Sequence, residues 1–122
     1  MVKALLVSGD RESISMVSQT IQDYCHDITF LGVADTIQAG VSMINSTQPD
    51  LLILDTKLTD GSGFEMLKHF EASSFKILVL SSHIEYALMA FKYCAVDFLL
   101  KPADPDDLIQ AINKASEFIP TK

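Results

Sequence analysis

Residues 51–55 read Leu-Leu-Ile-Leu-Asp, an uninterrupted aliphatic run that ends in a carboxylate. A short aliphatic run of this kind is typical of a β-strand that is covered on both faces, as in a parallel sheet. Three further runs of similar character occur at residues 4–7, 77–80 and 95–100. Residues 28–33 form a weaker candidate, which indicates a fifth strand at an edge of the sheet.

Stretches with helical periodicity follow each of these runs. In residues 11–24, for example, apolar side chains recur at the spacing of one helix face. The predicted start signals are Asp10 before the first helix, Asp35 before the second, the Ser62–Glu65 and Ser82–Glu85 capping boxes before the third and fourth, and Asp104 with Pro105 before the fifth. The chain therefore alternates strand and helix five times.

This alternation predicts an α/β fold, a (βα)5 three-layer sandwich with a parallel five-stranded sheet between two layers of helices. Apolar residues make up 48% of the chain and charged residues 20%, a balance that is typical of a folded globular protein. Neither a linker nor a repeat divides the sequence. We therefore expect a single domain over residues 1–122.

The composition argues against several classes of function. Nine basic residues against 16 acidic ones give a net charge of −7, which disfavours direct binding of nucleic acid. Apolar runs of four to five residues are far too short to span a membrane, and Ser8 to Asp10 end the first run too early for a signal peptide. We expect a cytoplasmic protein without membrane contact, in which Cys25 and Cys94 are reduced and lie in or near the core.

Polar side chains follow the aliphatic runs at the positions where a ligand site would form. Asp55, Ser81 and Lys101 come directly after three of the runs. Because the carboxyl ends of parallel strands share one edge of a sheet, these side chains should lie close together. A carboxylate there can attack phosphorus, while a hydroxyl and an ammonium neutralise the phosphoryl oxygens. The pattern therefore indicates phosphoryl chemistry.

A family resemblance is carried by three stretches of the sequence. Residues 51–55, with Leu-Thr-Asp-Gly-Ser-Gly-Phe-Glu at 58–65, resemble the phosphoacceptor strand and following loop of response-regulator receiver domains. Leu-Ser-Ser-His at 80–83 resembles their conserved-hydroxyl strand end. Residues 85–102 resemble their fourth helix and fifth strand, most of all in receivers that precede LytTR-type DNA-binding domains. The resemblance covers essentially the whole chain and implies a flavodoxin-like sheet with strand order 2-1-3-4-5.

The resemblance implies a role for each matching residue. Asp55 would accept a phosphoryl group from a histidine kinase or phosphotransfer protein, Ser81 would hydrogen-bond that group, and Lys101 would form an ion pair with it. Phe98 occupies the aromatic switch position, and Pro102 would follow a cis peptide bond.

Such a domain is a two-component signalling module that switches a protein-binding surface. It is not an enzyme beyond self-catalysed phosphotransfer and dephosphorylation at the acceptor aspartate. The resemblance also implies a possible homodimer through the fourth helix, fifth strand and fifth helix, and no nucleic acid binding by this domain.

The match fails where receivers carry two adjacent acidic residues that help to hold Mg²⁺. The corresponding positions here are Ser8 and Gly9. Asp55 and the backbone carbonyl of Lys57 remain as candidate ligands, so we expect Mg²⁺ binding to be weak or absent. Asp10 is best interpreted as the N-cap of the first helix, with a water-mediated link to the metal as the alternative.

Three other functions follow from the same residues. A pseudo-receiver would keep the fold and bind partners without phosphorylation, which is the hypothesis that Ser8 and Gly9 favour. Haloacid-dehalogenase-type phosphatases also place a nucleophilic Asp at a strand end, but they have a second Asp two residues later, where this chain has Lys57. A flavodoxin-like flavin site would need its phosphate loop at residues 8–13, where two acids would repel phosphate.

Overall fold

The computed structural model describes residues 1–70 and 74–119, so that residues 71–73 and 120–122 of the predicted 1–122 domain lie outside the described residues. Five parallel strands form one sheet in the order β2-β1-β3-β4-β5. Their bounds are β1 Val2–Val7, β2 Ile28–Ala34, β3 Leu51–Asp55, β4 Lys76–Ser81 and β5 Asp97–Leu100. This order confirms the predicted sheet and the position of β2 at its edge.

Helices cover both faces of the sheet. They are α1 Arg11–Tyr24, α2 Ile37–Thr47, α3 Gly63–Leu67, α4 Ala87–Lys92, which a 3₁₀ turn Ile84–Tyr86 precedes, and α5 Pro105–Glu117. An antiparallel pair of two-residue strands, Lys57–Leu58 with Gly61–Ser62, lies between β3 and α3, and we refer to it as the 57–62 hairpin. None of the helices in the described part of the chain is long and apolar enough to cross a bilayer.

Alternate side chains of the central strands enter two separate cores. Leu52 and Leu54 of β3 pack with α2, α3 and α4, whereas Leu51 and Ile53 pack with α1 and α5. All four side chains are fully buried. Burial on both faces explains why these strands read as continuous aliphatic runs rather than as an alternating pattern.

The second helix begins one residue later than predicted. Thr36, not Asp35, is the N-cap of α2, and its hydroxyl accepts a hydrogen bond from the Ala39 amide at 3.0 Å. The Asp35 carbonyl accepts from the amide of Thr59 in the 57–62 hairpin, which holds Asp35 outside the helix. Asp60 of the same hairpin accepts from the Ile37 amide at 2.9 Å, so a distant side chain completes the helix start.

The fourth helix also departs from the prediction. Ser82 does not cap it, because the His83 amide donates to Ser81 Oγ at 3.1 Å and keeps His83 extended, so that the helical turn starts at Ile84. At the other end, Cys94 takes a left-handed conformation with φ of 61° and is exposed, which corrects the prediction that it lies near the core. The strand β5 accordingly starts at Asp97 rather than at residue 95.

The remaining helix starts match the sequence signals. Asp10 caps α1, Ser62 and Glu65 form a complete capping box at α3, and Asp104 caps α5 with Pro105 in its first turn.

Candidate functional site

Three polar side chains lie at the carboxyl edge of the sheet, at the end of a strand or directly after it. Asp55 ends β3 and pairs with Leu80 of β4, so that Ser81 lies just beyond it. The Lys101 amide donates to the Ser81 carbonyl at 2.8 Å and continues the pairing of β4 with β5. The parallel register thus brings Asp55, Ser81 and Lys101 to the same edge.

The Asp55 carboxylate is enclosed by hydrogen-bond donors, and the residue is 0% exposed. Its Oδ1 accepts from the Lys57 amide at 3.0 Å. Its Oδ2 accepts from Ser8 Oγ at 2.8 Å and from Lys101 Nζ at 2.6 Å. Each carboxylate oxygen can accept about two hydrogen bonds. Oδ2 therefore has both of its acceptor positions filled, whereas Oδ1 keeps one of its two positions free for a further contact.

Lys101 bridges two carboxylates. Its ammonium lies 2.9 Å from Asp10 Oδ2 and 2.6 Å from Asp55 Oδ2. The hydrogen bond from Lys101 lowers the pKa of Asp10 below its ordinary value, although partial burial opposes the shift. Burial acts to lower the pKa of Lys101, but the hydrogen bonds and charges of Asp10 and Asp55 outweigh it and raise that pKa. Both groups are therefore held in their charged forms.

Asp10 has a second function at the start of α1. Its Oδ1 accepts from the Glu12 amide at 3.2 Å, and its Oδ2 accepts from Ser13 Oγ at 3.1 Å. The capping role was predicted from sequence, whereas the contact with Lys101 was not. The two residues are 91 positions apart, and neither helical spacing nor strand spacing relates them.

Ser81 is buried beside a second hydroxyl that sequence reasoning missed. Thr56 Oγ1 donates to Ser81 Oγ at 2.8 Å, and the His83 amide donates to the same oxygen at 3.1 Å. With two hydrogen bonds accepted, the Ser81 hydroxyl keeps its own proton available for a ligand. Thr56 directly follows Asp55, so the rule that placed polar residues at the sheet edge could have included it.

The two positions that replace the acidic pair are both engaged with their surroundings. Ser8 Oγ donates to Asp55 and accepts from the Asp10 amide at 3.1 Å. The Gly9 amide donates to the Lys57 carbonyl at 2.8 Å. A Cβ atom added at Gly9 would lie 2.8 Å from the amide nitrogen of Thr59, so the 57–62 hairpin occupies the space that a side chain would need.

These contacts decide whether the residues fit a Mg²⁺ ion. The candidate donors are the carboxylates of Asp55 and Asp10 and the carbonyl of Lys57. The Lys101 ammonium already lies between the two carboxylates, and the Gly9 amide occupies one acceptor position of the carbonyl. In the described ranges no three acidic, His or Cys side chains are grouped as a metal site would require. The donor set in this arrangement does not fit Mg²⁺, which prefers several oxygen ligands with near-octahedral geometry.

Phe98 and Pro102, the other two residues predicted from sequence, lie in β5 and shortly after it. Phe98 is half-buried against the core on the α2–α4 side, and the Lys101–Pro102 peptide bond is cis. Lys57 and His83 are exposed. A cleft of about 460 Å³ opens beside the site, and Asp10, Lys101 and Pro102 are among its lining residues.

Comparison with known proteins agrees with this geometry. Residues 4–113 match the family described as the response regulator receiver domain. The sensory transduction protein LytT of Enterococcus faecalis is 35% identical over 111 residues, which cover 88% of this chain and 43% of LytT. The chain spans about half the length of the curated relatives it matches.

Solved structures with the same architecture are numerous. The response regulatory domain of protein mrkE from Klebsiella pneumoniae has a TM-score of 0.84 at 20% identity, with 94% of this chain and 95% of that chain covered. The response regulator domain of Thermotoga maritima CheB has a TM-score of 0.82 at 20% identity, with 98% and 99% covered. At this identity the likeness establishes the fold alone.

Proposed function

The chain belongs to the response regulator receiver domain family, and from this membership we propose that it accepts a phosphoryl group on Asp55 and thereby switches a protein-binding surface. Receiver domains are signalling modules of two-component systems, which interact with histidine kinases or phosphotransfer proteins and typically bind Mg²⁺ at an acidic pocket. The observation that carries the proposal is the Lys101 ammonium, 2.6 Å from the carboxylate that ends the central strand.

The chemistry that we propose uses the spare acceptor position of Asp55 Oδ1. This oxygen forms a bond to phosphorus while the bond from phosphorus to a histidine nitrogen of the donor breaks, and the electron pair leaves with that nitrogen. The Lys101 ammonium and the Ser81 hydroxyl are positioned to offset the charge on the phosphoryl oxygens. The product is an acyl phosphate on β3.

Burial of Asp55 sets a condition on this reaction. Because the carboxylate is not exposed, a donor reaches it only after the surrounding groups move apart. The cleft lined by Asp10 and Lys101 is the adjacent opening. The Gly9–Lys57 hydrogen bond joins the loop after β1 to the residue whose amide binds Asp55 Oδ1. Local opening of this kind slows a reaction without abolishing it.

The surface that the switch would control lies on α4 and β5. Lys101 follows β5, so a shift of its ammonium toward a phosphoryl group acts on the strand that carries Phe98. Large apolar side chains are exposed on this side of the molecule, namely Ile84, Leu88, Met89, Phe91 and Leu100. We propose that a partner protein binds this surface and that a second copy of the chain can be that partner.

Several further statements belong to the proposal. The domain extends over residues 1–122, acts in the cytoplasm, and does not bind nucleic acid itself. Its catalysis is limited to phosphotransfer and dephosphorylation at Asp55. Mg²⁺ binds weakly or not at all, since Ser8 and Gly9 supply no carboxylate.

The proposal is tested by incubating the chain with acetyl phosphate or phosphoramidate in excess Mg²⁺ and measuring its intact mass. We expect a gain of one phosphoryl group that is labile to hydroxylamine. The variant Asp55→Asn should gain none, whereas Asp60→Asn, in the neighbouring hairpin, should react as the native chain does. An unmodified native chain would overturn the proposal and leave the phosphorylation-independent module as the better description.

A further inference from the structure

The Lys101 ammonium lies between two carboxylates, 2.9 Å from Asp10 Oδ2 and 2.6 Å from Asp55 Oδ2. We propose that Lys101, held by Asp10, is the resident cation of this site, so that Asp10 is a positioning residue and the phosphorylation of Asp55 does not depend on a divalent cation. This inference rests on the proposed function, since it concerns the same reaction. It also makes claims about Lys101 and Mg²⁺ that hold whether or not phosphorylation occurs.

The first argument comes from charge. Asp10 and Asp55 contribute two negative charges within 2.9 Å of one ammonium, which leaves a single net negative charge among the three groups. A divalent cation that entered would meet this ammonium at close range in a partly buried environment, where like charges repel more strongly than in bulk water. To bind there, it would have to displace Lys101 from both carboxylates.

The second argument comes from the two residues that follow β1. Ser8 is fully buried and offers Asp55 a hydroxyl proton, which stabilises the carboxylate without adding charge. Gly9 has no room for any side chain, because a Cβ would lie within 2.9 Å of the backbone of both Leu58 and Thr59. The backbone arrangement itself, and not only the residue type, leaves no place for a carboxylate at the second position.

The third argument concerns how Asp10 is held. Its carboxylate is fixed by the Glu12 amide and by Ser13 Oγ while it binds Lys101. Lys101 has a long side chain with many accessible conformations. Its ion pair with Asp10 reduces the number of those conformations, and so keeps the ammonium in place while Asp55 reacts. Asp10 therefore connects the N-terminus of α1 to the reacting edge of the sheet.

The test compares phosphorylation rates in excess Mg²⁺ and in EDTA. For the native chain we expect equal rates within about twofold, and Asp10→Asn should slow both by roughly tenfold or more. Asparagine is as good an N-cap as aspartate, so this variant keeps the helix start while it removes the charge. The control Asp23→Asn makes the same change at an exposed side chain near the other end of α1, away from Lys101 and the cleft, and should leave the rate unchanged.

A second readout separates positioning from a merely structural role. The ammonium protons of Lys101, followed by NMR, should exchange with water at least about tenfold faster in Asp10→Asn than in the native chain or in Asp23→Asn, because one of their two carboxylate acceptors is lost. The inference would be overturned if the phosphorylation rate of the native chain fell sharply in EDTA. It would also be overturned if Asp10→Asn changed neither the phosphorylation rate nor the exchange of the ammonium protons.

Failure of the proposed function would look different. If no condition phosphorylates Asp55, the acceptor assignment fails, and a Mg²⁺ titration still decides the cation assignment. Amide shifts at Asp55 and Lys57 that saturate at millimolar Mg²⁺ would overturn it. An unchanged spectrum, together with slow ammonium exchange at Lys101, would support it.

Discussion

At the scale of single residues, Ser8 and Gly9 have different structural reasons for lacking a carboxylate. Ser8 directly follows β1 and its hydroxyl donates to Asp55, so a longer acidic side chain there would meet the existing carboxylate. The Gly9 amide donates to the Lys57 carbonyl of the 57–62 hairpin. The hairpin can approach this closely because Gly9 has no Cβ atom. From the sequence, both positions simply lack an acidic residue. The structure shows that Ser8 has room for its side chain beside Asp55, whereas Gly9 has no room for a side chain.

The substitution Ser8→Asp should therefore create a Mg²⁺ site that the native chain lacks. Without metal we expect this variant to be less stable than the native chain, because two carboxylates would lie side by side in a buried place. Adding Mg²⁺ at ten times its dissociation constant should return about 1.4 kcal/mol to the free energy of unfolding. Urea denaturation with and without Mg²⁺ measures this change. If the urea midpoint of the variant is the same with and without Mg²⁺, the expectation is contradicted.

Gly9→Ala serves as the contrasting substitution. Its methyl group would lie 2.8 Å from the Thr59 amide nitrogen, so the hairpin must shift, at a cost of about 1–3 kcal/mol in the free energy of unfolding. No response to Mg²⁺ is expected. If Gly9→Ala is as stable as the native chain, the hairpin does not pack on Gly9 as described.

The two cysteines should react very differently with a thiol reagent. Burial raises the pKa of the Cys25 thiol, so the reactive thiolate is disfavoured as long as the chain is folded, and stability is lost as the pH rises through the folded pKa. Cys94 is exposed. At pH near 8 we expect one fast-reacting thiol in the native chain and none in Cys94→Ser, as measured with a chromogenic disulfide. A fast reaction of Cys25 in the folded protein would contradict its burial.

At the scale of elements, the C-terminus of α4 shows how local geometry overrode the sequence pattern. The Cys94 amide donates to the Phe91 carbonyl and the Ala95 amide donates to the Ala90 carbonyl, which together form a Schellman motif with Cys94 in the left-handed position. Glycine is the usual residue there, and its absence hid the motif from a sequence-based reading. The apolar character of residues 95 and 96 therefore predicts a longer β5 than the strand Asp97–Leu100 of the structure.

The substitution Cys94→Gly should stabilise the protein. It removes a left-handed conformation that is unfavourable for a residue with a side chain, and we expect a net gain of about 0.5–1 kcal/mol after the greater freedom of glycine in the unfolded chain is counted. Lys92→Gly, at a right-handed position of the same helix, is the matched control and should lose about 1 kcal/mol. Urea midpoints measure both, and a loss of stability in Cys94→Gly would contradict this account of the helix end.

At the scale of the whole molecule, the sequence predicts most of the fold and the membership of the site but not its contacts. Aliphatic runs such as Leu51–Leu54 report burial on both faces, and their carboxyl ends share one edge, so Asp55, Ser81 and Lys101 could be placed together. The Asp10–Lys101 pair and the hydrogen bond from the Ile37 amide to Asp60 could not be predicted. They depend on how side chains from distant segments meet once the sheet and helices are packed.

The exposed apolar surface of α4 makes a prediction about assembly. Leu88 is 76% exposed, so Leu88→Glu should leave the unfolding midpoint unchanged while it weakens self-association, which we expect to be stronger in the phosphorylated chain. Sedimentation velocity over a range of concentrations measures this, with the exposed Tyr24→Glu of α1 as a control away from the surface. A phosphorylated chain that stays monomeric at every concentration would exclude a homodimer and favour a different partner for this surface.

The central claim, that Asp55 accepts a phosphoryl group and switches the α4–β5 surface, is tested most directly by two-dimensional NMR of the chain during reaction with phosphoramidate. The account predicts amide shifts that begin at Asp55, Ser81 and Lys101 and extend through Phe98 to α4, and that are absent in Asp55→Asn. A native spectrum that does not change, or one that changes only away from these residues, would contradict it.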